Sequence, residues 1–332
     1  MGAASLFFIP PRFSLAMILL LTNSHDTTTD ILMPHLTRRA EVFRFNIDLW
    51  RDYRWRITAD GYEISDPTGR ICREAEVGAV YERKVMFNPV CIDMPAQGCA
   101  ESWLREEVFA IWAGIKDLAM GSGKLAVIHP SPSGVWYKMR QMRAAAKYFP
   151  VLPWEMLHGV SPSLGEHVVC KTNSGAPTGT GALFRVSKVD PGRLDTAWPW
   201  FLQVAGEQGD KAADEVTVAY IVGKLFAAEM CRSGLSQLDS RHTSSNGEAD
   251  WRPCELSESE QTAIRSLMAE TGFSFSRLDF LRIDGVLHFL EFNVNGQFGW
   301  IDLHDHRGMM TAIVDEIMRV HSLHLPLPAS QG

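Results

Sequence analysis

The pattern of hydrophobic and polar positions along this chain predicts a mixed α/β protein. MILLLTNSHD (17–26), DTTTDILMPHLTRR (26–39) and AEVFRFNID (40–48) predict a strand, a helix and a strand. Residues 99–121 carry apolar side chains at the spacing of an amphipathic helix. Ser257 and Glu260 form a Ser-x-x-Glu capping box, which predicts the start of another helix.

Near the end of the chain, the Asp-Gly pair at 284–285 separates two apolar runs and predicts a β-hairpin. Side chains two positions apart on a strand share one face. We therefore expect Glu291 and Asn293 to point together, while Leu290 and Phe292 point into the core.

Across this hairpin, Asp279 completes a cluster of three oxygen-bearing side chains with Glu291 and Asn293. Two carboxylates and an amide are hard oxygen ligands of the kind that hold Mg²⁺ against phosphates. A buried acid among Leu and Phe residues is costly unless a cation neutralises it. The pattern thus favours a metal site over the alternative, a half-buried hairpin whose polar residues face water.

The size and composition set limits on the function. A chain of 332 residues can bury two or three cores, which predicts a multidomain enzyme. Its 46% hydrophobic and 21% charged content is typical of a soluble globular protein. The net charge of −7 argues against a general nucleic-acid binder, because phosphate backbones require a basic surface, and it leaves local basic patches open.

Cysteine spacing and the amino terminus bear on the location. The six cysteines form no CxxC pair, which indicates reduced thiols and a cytoplasmic protein. Pro10, Pro11 and Arg12 interrupt the apolar amino terminus, and no run approaches the ~20 residues that a membrane span requires. We expect residues 1–16 to be a disordered extension and Met17 to be a candidate for the natural start.

A second candidate for phosphate binding is Lys171, which ends an apolar run before the Gly- and Thr-rich loop 172–182. An ammonium group and loop N–H groups can together hold a triphosphate. The chain contains no Walker A motif, and a lysine before a loop is common. Lys171 alone is therefore a weak signal, and the acidic hairpin later in the chain is what makes phosphate binding by this lysine a candidate.

Two further segments contain polar candidates. Gln203, Ala205 and Glu207 follow WPWFL and could contact an adenine, although a domain hinge would look the same. Asp239 and Arg241 lie in a polar loop, where the arginine could stabilise a transferred phosphoryl group or simply be a surface charge.

The run Asp302, His304, Asp305 and His306 raises the alternative of a zinc site. Consecutive loop residues rarely converge on one tetrahedral centre, and no second His/Cys cluster supports it. A structural or substrate-facing loop is the favoured interpretation.

Taken together, these segments resemble the ATP-grasp superfamily, and within it the graspetide synthetases, which cyclise microviridin-type ribosomal peptides. The resemblance runs from about residue 17 to about residue 318 and is strongest in LDFLRIDGVLHFLEFNVNGQFGWID. WYKMRQMRAAAKYFPVLPWEM resembles the segment that carries the family's first nucleotide lysine, here Lys138. HVVCKTNSG resembles the strand that carries the second, Lys171, and LDSRHT resembles the Asp-x-Arg element.

This resemblance implies an α/β (α+β) protein with an ATP-grasp fold and an amino-terminal pre-ATP-grasp α/β domain. The expected division places the pre-ATP-grasp domain at 17–123, the central subdomain at 124–199, the carboxy-terminal subdomain at 200–325 and a tail at 326–332.

The resemblance also implies ATP-dependent carboxylate activation. Lys138 and Lys171 would hold the α- and β-phosphates, and Mg²⁺ on Asp279, Glu291 and Asn293 would bridge the β- and γ-phosphates. A substrate carboxylate would form an acyl phosphate, and a Thr/Ser hydroxyl or Lys amine of the same peptide would then form an ester or amide.

Further roles follow from the same resemblance. Asp239 and Arg241 would position the acceptor and the acyl phosphate, and Gln203, Ala205 and Glu207 would contact the nucleotide. The implied partners are a precursor peptide with leader and core, ATP, and a second copy of the chain in a homodimer, with no nucleic acid and no membrane.

The sequence departs from the family at two places. Glu215 stands where the family has an arginine, and the hinge Gln-Glu is Gln203-Val204 here. Arg232 and Arg282 are candidates to compensate for the missing arginine. Two alternatives stay open: a ligase that joins a free amino acid or amine to a small carboxylate, and a nucleotide-binding partner protein with impaired catalysis.

Overall fold

The chain forms two compact units in the computed structural model. The first consists of Met1–Met86, Gly114–Ala126 and Ile317–Gly332, and the second of Phe87–Ala113 and Val127–Glu316. The structure describes residues 16–83, 99–127, 136–165, 167–171, 186–208, 211–231, 251–299, 301–302 and 308–325.

The first unit contains a parallel sheet of three strands. Strand β1 (Met17–Thr22) lies between β2 (Glu41–Asn46) and β6 (Val77–Glu82), and helix α1 (Thr27–Thr37) connects β1 to β2. All six residues of β1 are buried, as expected for the centre of a parallel sheet. The predicted strand–helix–strand layer is therefore confirmed.

A small antiparallel sheet also belongs to this unit. It is formed by β3 (Arg54–Thr58), β4 (Gly61–Ser65) and β5 (Ile71–Arg73), in that order. Helix α2 (Cys99–Gly121) follows later in the chain, over the segment that the apolar spacing predicted.

The second unit contains two larger antiparallel sheets. The first has the order β7-β10-β8-β9 and the second the order β15-β14-β13-β16-β17. The strands of the first are β7 (Trp154–Leu157), β8 (Val168–Lys171), β9 (Ser187–Val189) and β10 (Trp200–Val204). The strands β11 (Glu207–Gln208) and β12 (Lys211–Ala212) form a short pair. The five-stranded sheet consists of β13 (Asp214–Ile221), β14 (Lys224–Met230), β15 (Trp251–Pro253), β16 (Phe275–Ile283) and β17 (Val286–Asn293).

The core of the second unit lies on one face of the five-stranded sheet. Residues of α3 (Lys138–Ala145) and α4 (Glu258–Thr271) pack there against Leu278, Phe280 and Phe289. Helix α4 begins with the predicted capping box, in which Ser257 and Glu260 exchange hydrogen bonds. The last helix is α5 (Met309–Leu323). None of the helices among the described residues is long and apolar enough to cross a membrane.

The predicted hairpin is formed by β16 and β17, and its turn has positive φ at Asp284 (50°) and Gly285 (80°). Asp279 pairs with Glu291 and Phe280 pairs with Phe289, so Leu290 is an extra residue in a β-bulge. The expectation that Leu290 points into the core is therefore wrong. Phe289 takes that place, with 0% of its surface exposed.

The bulge decides what lies opposite Asp279. Continued regular pairing from Phe280 and Phe289 would place Leu290 opposite Asp279. The extra residue instead brings Glu291 to that position. Phe289 and Phe292 can then both pack in the core while Glu291 lies on the other face of the sheet.

Candidate functional site

The face of the five-stranded sheet opposite the core carries the acidic cluster. Asp279 on β16 lies between Thr217 on β13 and Glu291 on β17. The hydroxyl Oγ1 of Thr217 donates a hydrogen bond to Oδ1 of Asp279 at 2.8 Å. Strand pairing thus places the two predicted metal-binding carboxylates side by side.

Asn293 joins the two carboxylates. Its Nδ2 donates to Oδ2 of Asp279 at 2.9 Å and to Oε1 of Glu291 at 3.2 Å. The structure therefore brings all three predicted metal-binding side chains together. Turning the amide by half a rotation would replace the nitrogen with an oxygen and complete a set of three oxygen ligands.

Lys138, at the first position of α3, forms an ion pair with Glu291. Burial alone would raise the pKa of Glu291. The positive charges of Lys138 and Lys171 outweigh that effect, together with hydrogen bonds from Lys138 and Asn293, and lower this pKa to about 2. Glu291 is therefore a carboxylate at neutral pH.

Lys171 ends β8 beside β10, and its Nζ donates to Oε1 of Gln203 at 2.8 Å. Burial lowers the pKa of Lys171 to about 8, against the charges of Glu291, Glu215 and Asp279 that favour the ammonium form. The neighbouring charge of Lys138 lowers it further. This lysine is therefore held in a site where an additional anion would stabilise its charge.

Arg277 is a site residue that the sequence analysis missed. Its Nη2 donates to Oδ2 of Asp279 at 2.9 Å, and its Nε donates to Oδ1 at 3.1 Å. Its Nη1 donates to the backbone carbonyl of Gln297 at 3.1 Å. The available signal was its position two residues before Asp279, because strand alternation puts both side chains on one face.

Glu215 also lies on this face, two residues before Thr217 on β13. Its negative charge acts on both Lys171 and Arg277 and favours their protonated forms. Among the described residues, the cluster contains three cationic and three anionic side chains: Lys138, Lys171 and Arg277 against Glu215, Asp279 and Glu291.

The donor set fits a hard divalent cation. Within the described ranges no group of three His, Cys, Asp or Glu side chains could hold a metal, and the candidate set here has two carboxylates and one amide. Two carboxylates and an amide oxygen suit Mg²⁺, which keeps several water ligands and shares others with phosphates. The residues present therefore fit the metal that the sequence predicted.

The structure does not bring Arg282 to this cluster. Its side chain lies on the core face of β16, where Nε contacts Glu229 at 3.0 Å and Nη1 contacts Glu260 of α4 at 3.0 Å. Arg282 is five positions from Arg277, and strand alternation sends the two to opposite faces. Arg282 is thus placed to hold β14, β16 and α4 together.

The predicted adenine-binding residues lie along and after β10. Gln203 is buried and bound to Lys171, and the backbone N–H of Ala205 donates to the carbonyl of His167 at 2.7 Å. Glu207 begins the short strand β11. Their contact with a nucleotide remains a prediction.

Several predicted residues fall outside the described ranges: Asp239, Arg241, Arg232, loop 172–182, and His304, Asp305 and His306. Asp302 is described, and its carboxylate accepts hydrogen bonds from the backbone N–H groups of Met309 and Met310 at 2.8 and 3.0 Å. Asp302 therefore satisfies the start of α5, which supports the structural interpretation of this run over the zinc interpretation.

No family model matches this sequence, and no curated protein matches it. Solved structures do match it over nearly its whole length. A RiPP-associated ATP-grasp ligase of Chryseobacterium gregarium, solved with ADP and a leader and core peptide, is 20% identical, with a TM-score of 0.74 over 91% of this chain and 96% of that one. The macrocyclase MdnC of Microcystis aeruginosa, solved with its precursor peptide, is 18% identical, with a TM-score of 0.75 over 91% and 99%.

The ATP-grasp ligase PsnB, solved with a minimal precursor, is also similar, with 15% identity and a TM-score of 0.70 over 92% and 99% of the two chains. The protein thus has the ATP-grasp fold, and the predicted fold class is confirmed. The resemblance to peptide-cyclising ATP-grasp ligases holds at the level of the fold.

Proposed function

We propose that this protein is an ATP-dependent, ADP-forming ligase that joins side chains of a ribosomally made precursor peptide by ester or amide bonds. The observation that carries the proposal is the site face of the second unit. There, Asp279, Glu291 and Asn293 of one hairpin meet Lys138 and Lys171, which come from two distant parts of the chain.

The cationic side chains of the site would bind the nucleotide. Lys138 and Lys171 would contact its phosphates, because each is a cation placed beside carboxylates that a metal would neutralise. Asp279, Glu291 and Asn293 would hold Mg²⁺, which neutralises charge on the phosphates and favours attack on the terminal phosphorus. Gln203 would orient Lys171 through the hydrogen bond at 2.8 Å.

The reaction class follows from ATP-grasp chemistry. An oxygen of a substrate Asp or Glu carboxylate attacks the γ-phosphorus, which forms an acyl phosphate and releases ADP. A Thr or Ser hydroxyl or a Lys amine then attacks the acyl carbon, and inorganic phosphate leaves. The peptide loses the elements of one water per ring, and the proton of the acceptor passes to phosphate or solvent. No protein nucleophile is required, so the site acts by positioning and charge neutralisation.

A peptide substrate is supported by the solved structures. Those of the Chryseobacterium ligase, MdnC and PsnB contain precursor peptides, and this chain covers 96–99% of their lengths. Asp239 and Arg241 keep their predicted roles at the acceptor and the acyl phosphate. The predicted division at 17–123, 124–199 and 200–325, the homodimer and the cytoplasmic location are also parts of this proposal.

One observation favours a second candidate, a nucleotide-binding partner protein with impaired catalysis. Glu215 places an acid on the site face where the resembled family has an arginine. A third candidate, a ligase for a free amino acid or amine, uses the same nucleotide site and differs only in the acceptor.

Turnover with a candidate peptide tests the proposal. The purified protein is incubated with ATP, Mg²⁺ and the product of a short neighbouring reading frame that has a repeated Thr/Glu or Lys/Asp core. ADP formation and a mass loss of one water per ring support peptide cyclisation. The matched control is Glu291→Gln, which keeps the shape of the side chain and removes a metal-binding charge.

The other outcomes are equally distinct. Nucleotide binding without ADP release, both with this peptide and with free amino acids and amines, would contradict the ligase and support the binding protein. ADP release only with free amino acids or amines would support the third candidate. A protein that binds no nucleotide would contradict all three.

A further inference from the structure

Arg277 is held in place from three directions. Its guanidinium binds both oxygens of Asp279 at 2.9 and 3.1 Å and the carbonyl of Gln297 at 3.1 Å. Gly296 passes so close that an added Cβ would lie 2.9 Å from Cβ of Arg277. The absence of a side chain at Gly296 therefore lets the chain close over this arginine.

The hydrogen bonds to Asp279 leave no free position on its carboxylate. Arg277 supplies two donors, Thr217 supplies one at 2.8 Å and Asn293 supplies one at 2.9 Å. A carboxylate offers about four lone-pair positions. A cation can therefore bind Asp279 only if at least one of these donors leaves.

The donor that leaves is determined by charge. Thr217 is neutral and can stay, and turning the neutral Asn293 amide toward the metal frees one position on Oδ2 without moving the side chain. Arg277 is cationic and lies directly on the carboxylate that a divalent cation would share, so the two repel each other. A guanidinium that moves off Asp279 needs a new anion, and the terminal phosphates are the anions that arrive with the metal.

We propose that Arg277 is a nucleotide-binding residue that exchanges partners, leaving Asp279 for the terminal phosphates when metal and nucleotide bind together. This inference rests on the proposed function, because it assumes a metal–nucleotide complex at this site. It also explains how a site with Glu215 on its face obtains a guanidinium: Arg277 lies on the same face of β16, the strand that pairs with β13.

The exchange predicts opposite effects on two ligands in Arg277→Ala. Metal alone binds more tightly, by about 10-fold, because a competing cation on Asp279 is gone. The complex of Mg²⁺ with the non-hydrolysable analogue AMPPNP binds more weakly, by about 10-fold, because a charged phosphate contact is lost. An arginine that only braces Asp279 does not produce this pair of opposite signs.

The experiment measures Mn²⁺ alone by electron paramagnetic resonance and Mg²⁺–AMPPNP by calorimetry, with thermal melts to verify folding. Arg277→Lys keeps the charge and loses the two-pronged contact, so we expect its AMPPNP affinity to lie between those of wild type and Arg277→Ala. Arg265→Ala, which removes an exposed arginine from α4, is the matched control and should match wild type for both ligands.

A rescue variant tests the geometry. Glu215→Arg in the Arg277→Ala background restores a guanidinium to the same face, and we expect it to recover AMPPNP affinity to within about 3-fold of wild type. Metal and nucleotide affinities that both rise, or that both stay unchanged, in Arg277→Ala would overturn the exchange. If Arg277→Ala does not fold, the same comparison with Arg277→Lys decides. Wild-type protein that binds no AMPPNP would instead contradict the proposed function.

Discussion

The ammonium group of Lys138 lies on the carboxylate of Glu291, a residue that follows it by 153 positions in the chain. The pair joins the start of α3 to β17 at the centre of the site. Both side chains are largely shielded from water, with 13% and 31% of their surfaces exposed. Glu291 is therefore the carboxylate that neutralises Lys138, while Asn293 and the charge of Lys171 also act on Glu291.

Glu291→Gln is expected to weaken Mg²⁺–nucleotide binding by at least about 10-fold and to lower stability by about 1–3 kcal/mol, because it leaves the Lys138 ammonium without its carboxylate. Calorimetry and urea unfolding measure the two effects. The double variant Lys138→Met/Glu291→Gln should be destabilised by less than the sum of the two single variants. Additive losses would show that the pair contributes nothing to stability.

The ion pair of Lys138 and Glu291 also predicts that folding stability falls at acidic pH. The pKa of Glu291 is about 2 in the folded protein and near the ordinary glutamate value of 4.5 when the chain is unfolded. Its stabilising contribution is therefore complete above about pH 4.5 and is lost as the pH falls toward 2. Urea unfolding from pH 6 to pH 3 should show a steeper loss of stability in wild type than in Glu291→Gln. Parallel curves would contradict this assignment.

The lowered pKa of Lys171 predicts that nucleotide affinity depends on pH in the alkaline range. Burial lowers its pKa to about 8, so its ammonium form is depleted as the pH rises from 7 to 9. AMPPNP affinity should fall over this range in wild type. Lys171→Arg should lack that fall, because a guanidinium stays charged. Lys171→Met should bind at least about 10-fold more weakly at pH 7 and show no such dependence.

The effect of Lys171 on stability runs opposite to its effect on AMPPNP affinity: stability should rise as the pH rises. Because the folded pKa of Lys171 is lower than the unfolded value, the unfolded chain holds more protons between about pH 8 and 10.5, and this residue favours the folded state increasingly over that window. Lys171→Met removes that rise. Urea unfolding of both proteins at pH 7.5 and pH 9.5 measures the difference, and equal slopes would contradict the buried ammonium.

Gly296→Ala is expected to disturb the site by crowding Arg277 and Asn293, although Gly296 itself carries no functional side chain. The new Cβ would lie 2.9 Å from Cβ of Arg277 and 3.1 Å from Cβ of Asn293, so these side chains must shift. We expect a loss of about 1–3 kcal/mol in stability and weaker AMPPNP binding. Gly114→Ala in α2 is the matched control, since nothing lies within 4 Å of its added Cβ. That variant should be neutral or stabilised by about 0.5–1 kcal/mol.

Arg282→Ala tests the placement of this arginine on the core face. The loss of its ion pairs with Glu229 and Glu260, both at 3.0 Å, should lower stability by about 1–2 kcal/mol. Its effect on AMPPNP affinity should be smaller than that of Arg277→Ala. A larger effect would return Arg282 to the nucleotide site, where the sequence analysis had placed it.

Local patterns predicted the parts of this protein that depend on neighbouring residues. Alternation within one hairpin placed Glu291 and Asn293 on one face, and the Asp-Gly turn brought Asp279 across from them. The same alternation, applied to Arg277, would have added it to the cluster. These predictions succeed because two strands joined by a tight turn have little freedom in how they pair.

What the sequence by itself determined is therefore the ATP-grasp resemblance, the α/β elements and the acidic hairpin. Only the tertiary structure decided that Leu290 forms a bulge, that Phe289 takes its place in the core, and that Arg282 and Arg277 lie on opposite faces of β16. The tertiary structure also decided which cationic side chain pairs with which carboxylate. The physical reason is that register, packing and ion pairing are set by contacts between segments far apart in the chain, and periodicity within a segment does not encode them.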